Sequence, residues 1–422
     1  MRFLTGVVIG CWQVCAGSCA AQTIYDFLGP PNPADPLAGL VLGTSGVLYG
    51  PTIEGGPGNF GSIYALTPPT AGHTNWTETT LYSFGGQPDG RGPRAGLYAA
   101  ADGSLYGTTA DGGSANPSYC NFYAGCGTFF RLIPPAAGKT TWTEQVLYSF
   151  DGSTDGYYPI SVPLPDGSGG FYVTVTQGAA GHGTIMDLTP PASGTAWTGV
   201  VIHTFQGGAD GDFPGYRLAI DPSGRLYGTT EYGGRTGAGT IFRLSPPTEP
   251  GGAWQAITLH AFNTDTDGAA PVAGVTLGRD GALYGTASYG GAYQLGTVFK
   301  LAPRVAGMPA TFTVLHAFAG APTDGAYPNG GVLLDPTGNV FGGTMEGGSD
   351  SSPCYSDGCG TVYRLSPPAW TETVLSQSDG GREPSGDLVR GADSALYGTT
   401  YLGGTGSGYN GTAFRVGSTQ RK

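Results

Sequence analysis

Charge is scarce in this sequence. Among 422 residues there are 18 Lys and Arg against 30 Asp and Glu, a charged fraction of 11% and a formal charge of −12. The basic residues form no cluster; the terminal Gln-Arg-Lys is too short to count. A phosphate-tracking groove needs clustered Lys and Arg, so a general nucleic-acid binder is excluded. Beyond the N-terminus no apolar run approaches the length of a membrane span. No stretch has helical period and helical length. A nucleophile elbow, a phosphate-binding P-loop, an HExxH pair and an EF-hand loop are all missing. Glycine-rich loops abound, but none leads into a helix, which removes the phosphate-cradle reading.

What the sequence has is glycine and proline, 78 and 33 residues. An aperiodic chain of this composition is commonly disordered. Here the glycines recur at fixed offsets from Leu, Tyr, Phe and Trp. The unit is clearest at 226–244, LYGTTEYGGRTGAGTIFRL, with copies starting at Leu48, Leu105, Phe171, Leu283, Val340 and Leu396. The starts are 57, 66, 55, 57, 57 and 56 residues apart, a period that signals a propeller or a solenoid. Each unit carries four short β signals: an apolar run before a DPSG-like turn, LYGTT, GTIFRL, and a run after Pro-Pro such as WQAITLHAF.

Seven such units predict an all-β fold, a seven-bladed β-propeller of four-stranded blades. The repeats run near 33–84, 88–150, 155–205, 210–262, 266–318, 323–377 and 380–416. The last copy lacks a fourth strand. QTIYDF at Gln22–Phe27 resembles the fourth-strand ending LYSF, so the N-terminal strand is expected to complete the last blade and close the ring. Trp76, Trp142, Trp197, Trp254 and Trp370, with Phe312 standing in once, open the fourth strands and are expected to wedge between blades.

The first residues, MRFLTGVVIGCWQVCAGSCAAQT, combine Arg2, an apolar stretch and small residues near Ala20 and Ala21. Residues 1–22 read as a secretory signal peptide, leaving 23–422 as one domain. Removing Arg2 leaves 17 basic and 30 acidic residues, 17 − 30 = −13. The expected location is extracellular or periplasmic, with no membrane span, as a monomer. Lipidation through the loose box Val8-Ile9-Gly10-Cys11 is a minor alternative to full release. Cys120 with Cys126, and Cys354 with Cys359, lie in equivalent loops four repeats apart. In an exported protein they read as two local disulfides; a single four-Cys zinc site is the lesser alternative.

The pattern LYGTTxxGGxxGxGTxFxLxPP behind a signal peptide resembles the GloVeR tandem-repeat family of secreted bacterial proteins, best at 226–247 and 105–135. The resemblance covers nearly all of the mature chain. It implies an exported β-propeller and implies no reaction. Some members carry a C-terminal sorting anchor; AFRVGSTQRK contains none, so a freely released form is expected.

Function would be written where the repeat departs from itself. The Asp-Gly turns at Asp89, Asp155, Asp210, Asp267 and Asp324 recur too regularly for that, and read as tight turns; a ring of calcium ligands is the alternative, and no other cofactor or metal is expected. The residues before each Gly-Gly do vary. Glu54, Asp111, Glu231 and Glu346 are acids there, and Asp111, Glu231 and Glu346 are candidates for catalytic carboxylates. His203, His260 and His316 occupy a slot held elsewhere by Tyr82 and Tyr148 and are read as structural. His182 has no equivalent in other copies and is the best candidate acid/base. Tyr232, Tyr289, Tyr401, Tyr123, Tyr157 and Arg235 are candidates for ligand contact, since tyrosine offers a sugar an apolar ring and a polar tip. The sequence therefore suggests a propeller that binds a polysaccharide or cell-envelope component through its variable loop face. The alternative is a carbohydrate-active enzyme, a polysaccharide lyase or glycoside hydrolase, with its site at the channel mouth.

Overall fold

The computed structural model describes residues 21–113, 120, 125–178, 181–249, 251–302, 310–349, 357–377, 381–404 and 410–417. Residues 1–20 of the signal-peptide segment, Cys354 and Tyr123 lie outside these residues; Gln22, the last residue of that segment, belongs to the closing strand Gln22–Asp26. Seven antiparallel four-stranded sheets stand around one axis as the blades of a β-propeller. In blade 4, Ala219–Ile220, Leu226–Tyr232, Thr240–Ser245 and Gln255–Ala261 run in order from the axis outward. Blade 7 takes Gly381–Arg390, Leu396–Gly403 and Thr412–Val416 from the end of the chain and Gln22–Asp26 from its beginning. The closing strand pairs antiparallel with Thr412–Val416, from Gln22 opposite Arg415 to Asp26 opposite Thr412. In blades 1 to 6 the innermost strand proper is short, because the chain turns through Pro and Gly near the axis; only two residues of the run 216–220 pair as strand.

Aromatic wedges join neighbouring blades. The expected Trp slots are filled: Trp76 meets Tyr397 of blade 7 at 5.7 Å between ring centroids, Trp142 meets Tyr49 at 6.2 Å, and Trp254 meets Tyr172 at 5.8 Å. Phe312 does not stand in for the missing Trp: Ala310 takes that slot, just before Thr311–Ala317, and Phe312 lies two residues further on, where it stacks on His260 at 3.8 Å. A second wedge ends the fourth strands of blades 1, 3, 4, 5 and 7. Phe27, Phe84, Phe205, Phe262 and Phe318 are at most 1% exposed and abut Tyr64, Phe130, Phe242, Phe299 and Tyr363 of the next blade. Burying each such ring contributes about 2–3 kcal/mol.

The repeat letters follow from these joints. The first Thr of LYGTT donates its hydroxyl to the entry segment of the next blade: Thr108 to Ser161 O (3.0 Å), Thr174 to Gly215 O (2.9 Å), Thr286 to Gly330 O (2.9 Å), and Thr229 to Pro271 O. Thr399 to Ala38 O (3.1 Å) closes the ring. The second Thr pairs hydroxyl to hydroxyl with the Thr that opens the third strand, as Thr230 does with Thr240 at 2.8 Å.

The glycine of LYG makes room for the third-strand aromatic beside it. A Cβ on Gly228 would stand 2.6 Å from Phe242 Cζ. Copy three solves the same packing problem in reverse: Val173 replaces the glycine and Met186, its register partner, replaces the phenylalanine. Gly228→Val alone is expected to destabilise blade 4 by about 1–3 kcal/mol through overpacking. Adding Phe242→Met should recover most of that loss in denaturant melts; additive penalties would refute the exchange.

Candidate ligand-binding face

Two kinds of loop meet on one end of the ring. Each blade is entered by a segment arriving from its predecessor, and this segment pairs with the start of the loop between the second and third strands. Ala34 bridges Glu54, Tyr157 bridges Gln177 and Ala269 bridges Tyr289. Gly90–Arg91 pairs with Asp111–Gly112, Asp212 with Tyr232, Gly325–Ala326 with Glu346–Gly347, and Arg382 with Leu402. The variable positions thus stand in a ring around the channel mouth. Their backbone is held from below: Thr109, Thr230, Thr344 and Thr400 donate to the carbonyls of Asp111, Tyr232, Glu346 and Leu402 at 2.8–2.9 Å.

The axis itself encloses a cavity of about 310 Å³ lined from all seven blades, including Leu40, Arg94, Val162, Tyr216, Ala273, Asn329 and Asp387. Arg94 lies 5.9 Å from the Tyr158 ring centroid and has a buried Nε without a partner. Its field also reaches Asp111, Tyr216 and Tyr401. Burial pushes the Asp111 carboxyl up to about 6 against the pull of Arg91 and Arg94. Burial and the adjacent Glu54 raise Asp35 to about 6. Glu346 is raised by burial, Asp357 and Glu383. Arg217 and Asp387 pair within the same channel.

The candidate residues do not converge on one pocket. Glu231 lines a small cavity of about 160 Å³ with Tyr158, Phe213 and Tyr216. His182 stands elsewhere, its Nδ1 3.0 Å from Asp212 Oδ1. Its carbonyl accepts the Phe213 N–H, at the position where every other copy also makes a joint. Tyr157 is half-buried against the cluster around the Cys120–Cys126 disulfide. Cys359 is disulfide-bonded too. Arg235 is exposed in the loop of blade 4. Glu346 borders a cavity of about 620 Å³ with Tyr289, Tyr327 and Asp357.

Aromatic side chains dominate one sector. Phe213 and Tyr232 meet edge to face at 5.7 Å, and Tyr289 meets Tyr327 at 5.5 Å. Tyr232, Tyr289 and Tyr293 are 47%, 56% and 60% exposed, unusual for rings of this size. Hydrogen bonding to Glu231 pushes the Tyr232 hydroxyl up to about 12. The arc spans blades 4 to 6.

Sequence reading missed Arg94, Tyr216 and Tyr327, whereas Tyr158 and Phe213 stand on the loop face where aromatic residues are expected. A signal was present: the residue before each entry proline varies as freely as the loops do. Asp35, Gly92, Tyr158, Phe213, Ala270, Tyr327 and Glu383 all have φ between 54° and 65°. Six side chains accept this left-handed backbone, at a cost of about 1–2 kcal/mol each. The backbone N–H of each donates to the preceding blade, as Tyr158 does to Cys126 O and Tyr327 to Leu295 O.

The Asp-Gly turns have internal partners. Tyr82 donates to Asp89 at 2.9 Å and Tyr148 to Asp155 at 3.0 Å; His203, His260 and His316 face Asp210, Asp267 and Asp324 at 3.3, 3.0 and 3.1 Å. Backbone N–H groups of Gly85, Gln206 and Ala319 satisfy the same carboxylates. Next to Asp89 lies Glu144 of blade 2, whose carboxyl is pushed up to about 7 by burial and by Asp89. The fold thus favours protonated Glu144. That contribution is present at low pH and is lost as pH rises from the ordinary carboxylate range through about 7. Glu144→Gln is expected to leave urea stability unchanged at pH 4 and to raise it at pH 8, by about 1–2 kcal/mol after solvent screening. Equal effects at both pH values would rule the assignment out.

The Gloeobacter/Verrucomicrobia repeat model matches residues 118–353. No curated protein matches the chain. Among solved structures, a candidate 6-phosphogluconolactonase from Bacteroides uniformis is similar at TM-score 0.50 and 14% identity, over 83% of this chain and 88% of that one. A fungal alcohol oxidase of the AA5 family, in complex with copper, is similar at TM-score 0.53 and 14% identity, over 95% of this chain and 76% of that one. At such identity the likeness concerns fold alone.

Proposed function

Because this chain belongs to the Gloeobacter/Verrucomicrobia repeat family, we propose that it is an exported propeller that holds a glycan or cell-envelope polymer against its variable loop face. The observation that carries this reading is the exposed aromatic arc Phe213–Tyr232 and Tyr289–Tyr327. A pyranose ring has an apolar face that stacks on tyrosine and a rim of hydroxyls that needs acceptors. Glu231 and Glu346 stand beside the arc as acceptors. The N-terminal sequence and the Cys120–Cys126 disulfide support export. Among the described residues no helix is long and apolar enough to cross a membrane.

The dispersal of His182, Glu231 and Asp111 favours binding over turnover, since acid/base chemistry needs its groups within reach of one bond. Purified protein incubated with a polysaccharide panel should retain at least one polymer unchanged. Tyr232→Ala and Tyr289→Ala should each weaken that retention about tenfold. New reducing ends or unsaturated products would replace the binding reading with an enzymatic one, and unaltered retention in both variants would move the site off the arc.

A further inference from the structure

Three ligating side chains converge where blade 5 meets blade 6. His316 lies on the fourth strand of blade 5, Thr311–Ala317, and Asp324 in the turn that follows. Glu372 lies on the fourth strand of blade 6, Thr371–Gln377. One ligand atom from each falls within 4.8 Å of the other two. Among the described residues this is the one place where three His, Cys, Asp or Glu side chains come so close.

The group is built rather than incidental. Asp324 is 8% exposed and held by two backbone donors, Ala319 N and Gly325 N, each at 2.7 Å. Each carboxylate oxygen carries two lone pairs, so one remains on each for a further partner. His316 Nε2 faces the same two oxygens at 3.1 and 3.2 Å. Glu372 Oε1 is enclosed and has no hydrogen-bond partner. Buried Leu315, Phe318 and Tyr363 belong to the core between these blades. Two carboxylates gathered at such a joint need either a shared proton or a bound cation to balance them.

The rest of the ring supplies internal controls. The joint of blades 3 and 4 has His203 and Asp210, but Ala256 stands where Glu372 does. The next joint has His260 and Asp267, with Phe312 in that place, stacked on the imidazole. The joint of blades 1 and 2 has Asp89 and Glu144, with Tyr82 in place of the histidine. Among the described residues, only the joint of blades 5 and 6 brings imidazole, aspartate and glutamate together.

We propose that His316, Asp324 and Glu372 form a divalent transition-metal site that cross-links blades 5 and 6, with Zn²⁺ the ion best suited to one nitrogen and two carboxylate ligands. Calcium takes oxygen ligands, and the imidazole selects against it. The N–H groups on Asp324 orient that ligand from outside the coordination sphere. The site is remote in kind from the aromatic arc: its role is to lock the ring, independent of any glycan.

The test uses the full chain stripped with chelator and titrated with ZnCl₂ by calorimetry, with thermal melts in parallel. One Zn²⁺ should bind per chain and raise the melting temperature. His316→Tyr and Glu372→Ala install residues that occupy the same slots in other blades, so the fold should tolerate both. Each should weaken Zn²⁺ binding at least tenfold and abolish the thermal shift; His203→Tyr should change neither. Absence of binding to the stripped wild type, or binding that survives both substitutions, would overturn the proposal. An equal loss in His203→Tyr would overturn it as well.

Discussion

Deleting Gln22–Phe27 is expected to cost the protein its cooperative unfolding transition near physiological temperature. The six residues supply the outer strand of blade 7, paired antiparallel with residues 412–415 across one register shift between Thr23 and Tyr25. They also supply Phe27, 1% exposed, whose ring meets Tyr64 of blade 1 at 4.9 Å and whose N–H donates to Gly411 O at 3.1 Å. Truncating one buried phenylalanine costs about 3–5 kcal/mol. A folded domain has only about 5–15 kcal/mol in all. Loss of the strand adds an open edge on Thr412–Val416, with its unpaired N–H and C=O groups. Denaturation followed by fluorescence and circular dichroism should give separated, broadened transitions in the deletion variant. Phe27→Ala alone should lower the stability by about 3–5 kcal/mol while keeping one transition. A deletion variant that melts with the wild type would show that the ring does not depend on closure.

Gly239→Ala is expected to be far more damaging than the addition of a methyl group usually is. The glycine before the third strand has φ of 101°, and an added Cβ would press on Thr230 O and stand 2.6 Å from Pro271 Cδ of the next blade. Every blade repeats the arrangement: Gly61 faces Pro93, Gly127 Pro159, Gly183 Pro214, Gly296 Pro328, Gly360 Pro384 and Gly411 Pro36. Backbone strain of about 1–3 kcal/mol adds to an overpacking cost of similar size. Gly237, two residues earlier, is the control. Its φ is 82°, yet a Cβ there meets nothing within 4 Å. Gly237→Ala should therefore cost only the left-handed backbone, about 1–2 kcal/mol, and Gly239→Ala about 3 kcal/mol or more. Paired urea melts measure the difference; equal penalties would mean that contact with the next blade is unimportant.

The contrast between Gly237 and Gly239 shows what a sequence with internal repeats makes legible. Gly239 recurs in every copy because seven joints impose the same demand; Gly237 does not. Blade number, strand order, ring closure and the Trp wedges were readable for that reason. Residues that do not recur carried no such signal. Arg94 reaches the axis because the chain dips inward after Pro93, and no neighbouring residue type announces that. The left-handed residues before the entry prolines differ from copy to copy, from Asp35 to Tyr327, so their shared backbone conformation was hidden behind unlike side chains. The union of His316, Asp324 and Glu372 escaped for another reason. Histidine in a tyrosine slot is legible as a substitution, but its meeting with Glu372 depends on which face of the next blade's outer strand is turned back toward it. The placement of Gly-Gly loops and Asp-Gly turns on one end of the ring was legible, and the register of Gly325–Ala326 with Glu346–Gly347 accounts for it.

The hydroxyl that Thr399 donates to Ala38 O is chemically the same contact that Thr174 makes with Gly215 O, although one joins the ends of the chain and the other joins consecutive blades. The ring therefore has no privileged first blade, and covalent order is a question of where the loop of polypeptide is cut. Linking Gly417 to Ala21 through a turn like that from Ser245 to Gln255, and opening the exposed turn at 192–196, would give a circular permutant in which blade 3 is the one sewn from both termini. The variable loops would keep their places around the mouth, so binding face and chain order are separable variables, and a lineage that shuffles or duplicates whole blades can alter one without disturbing the other.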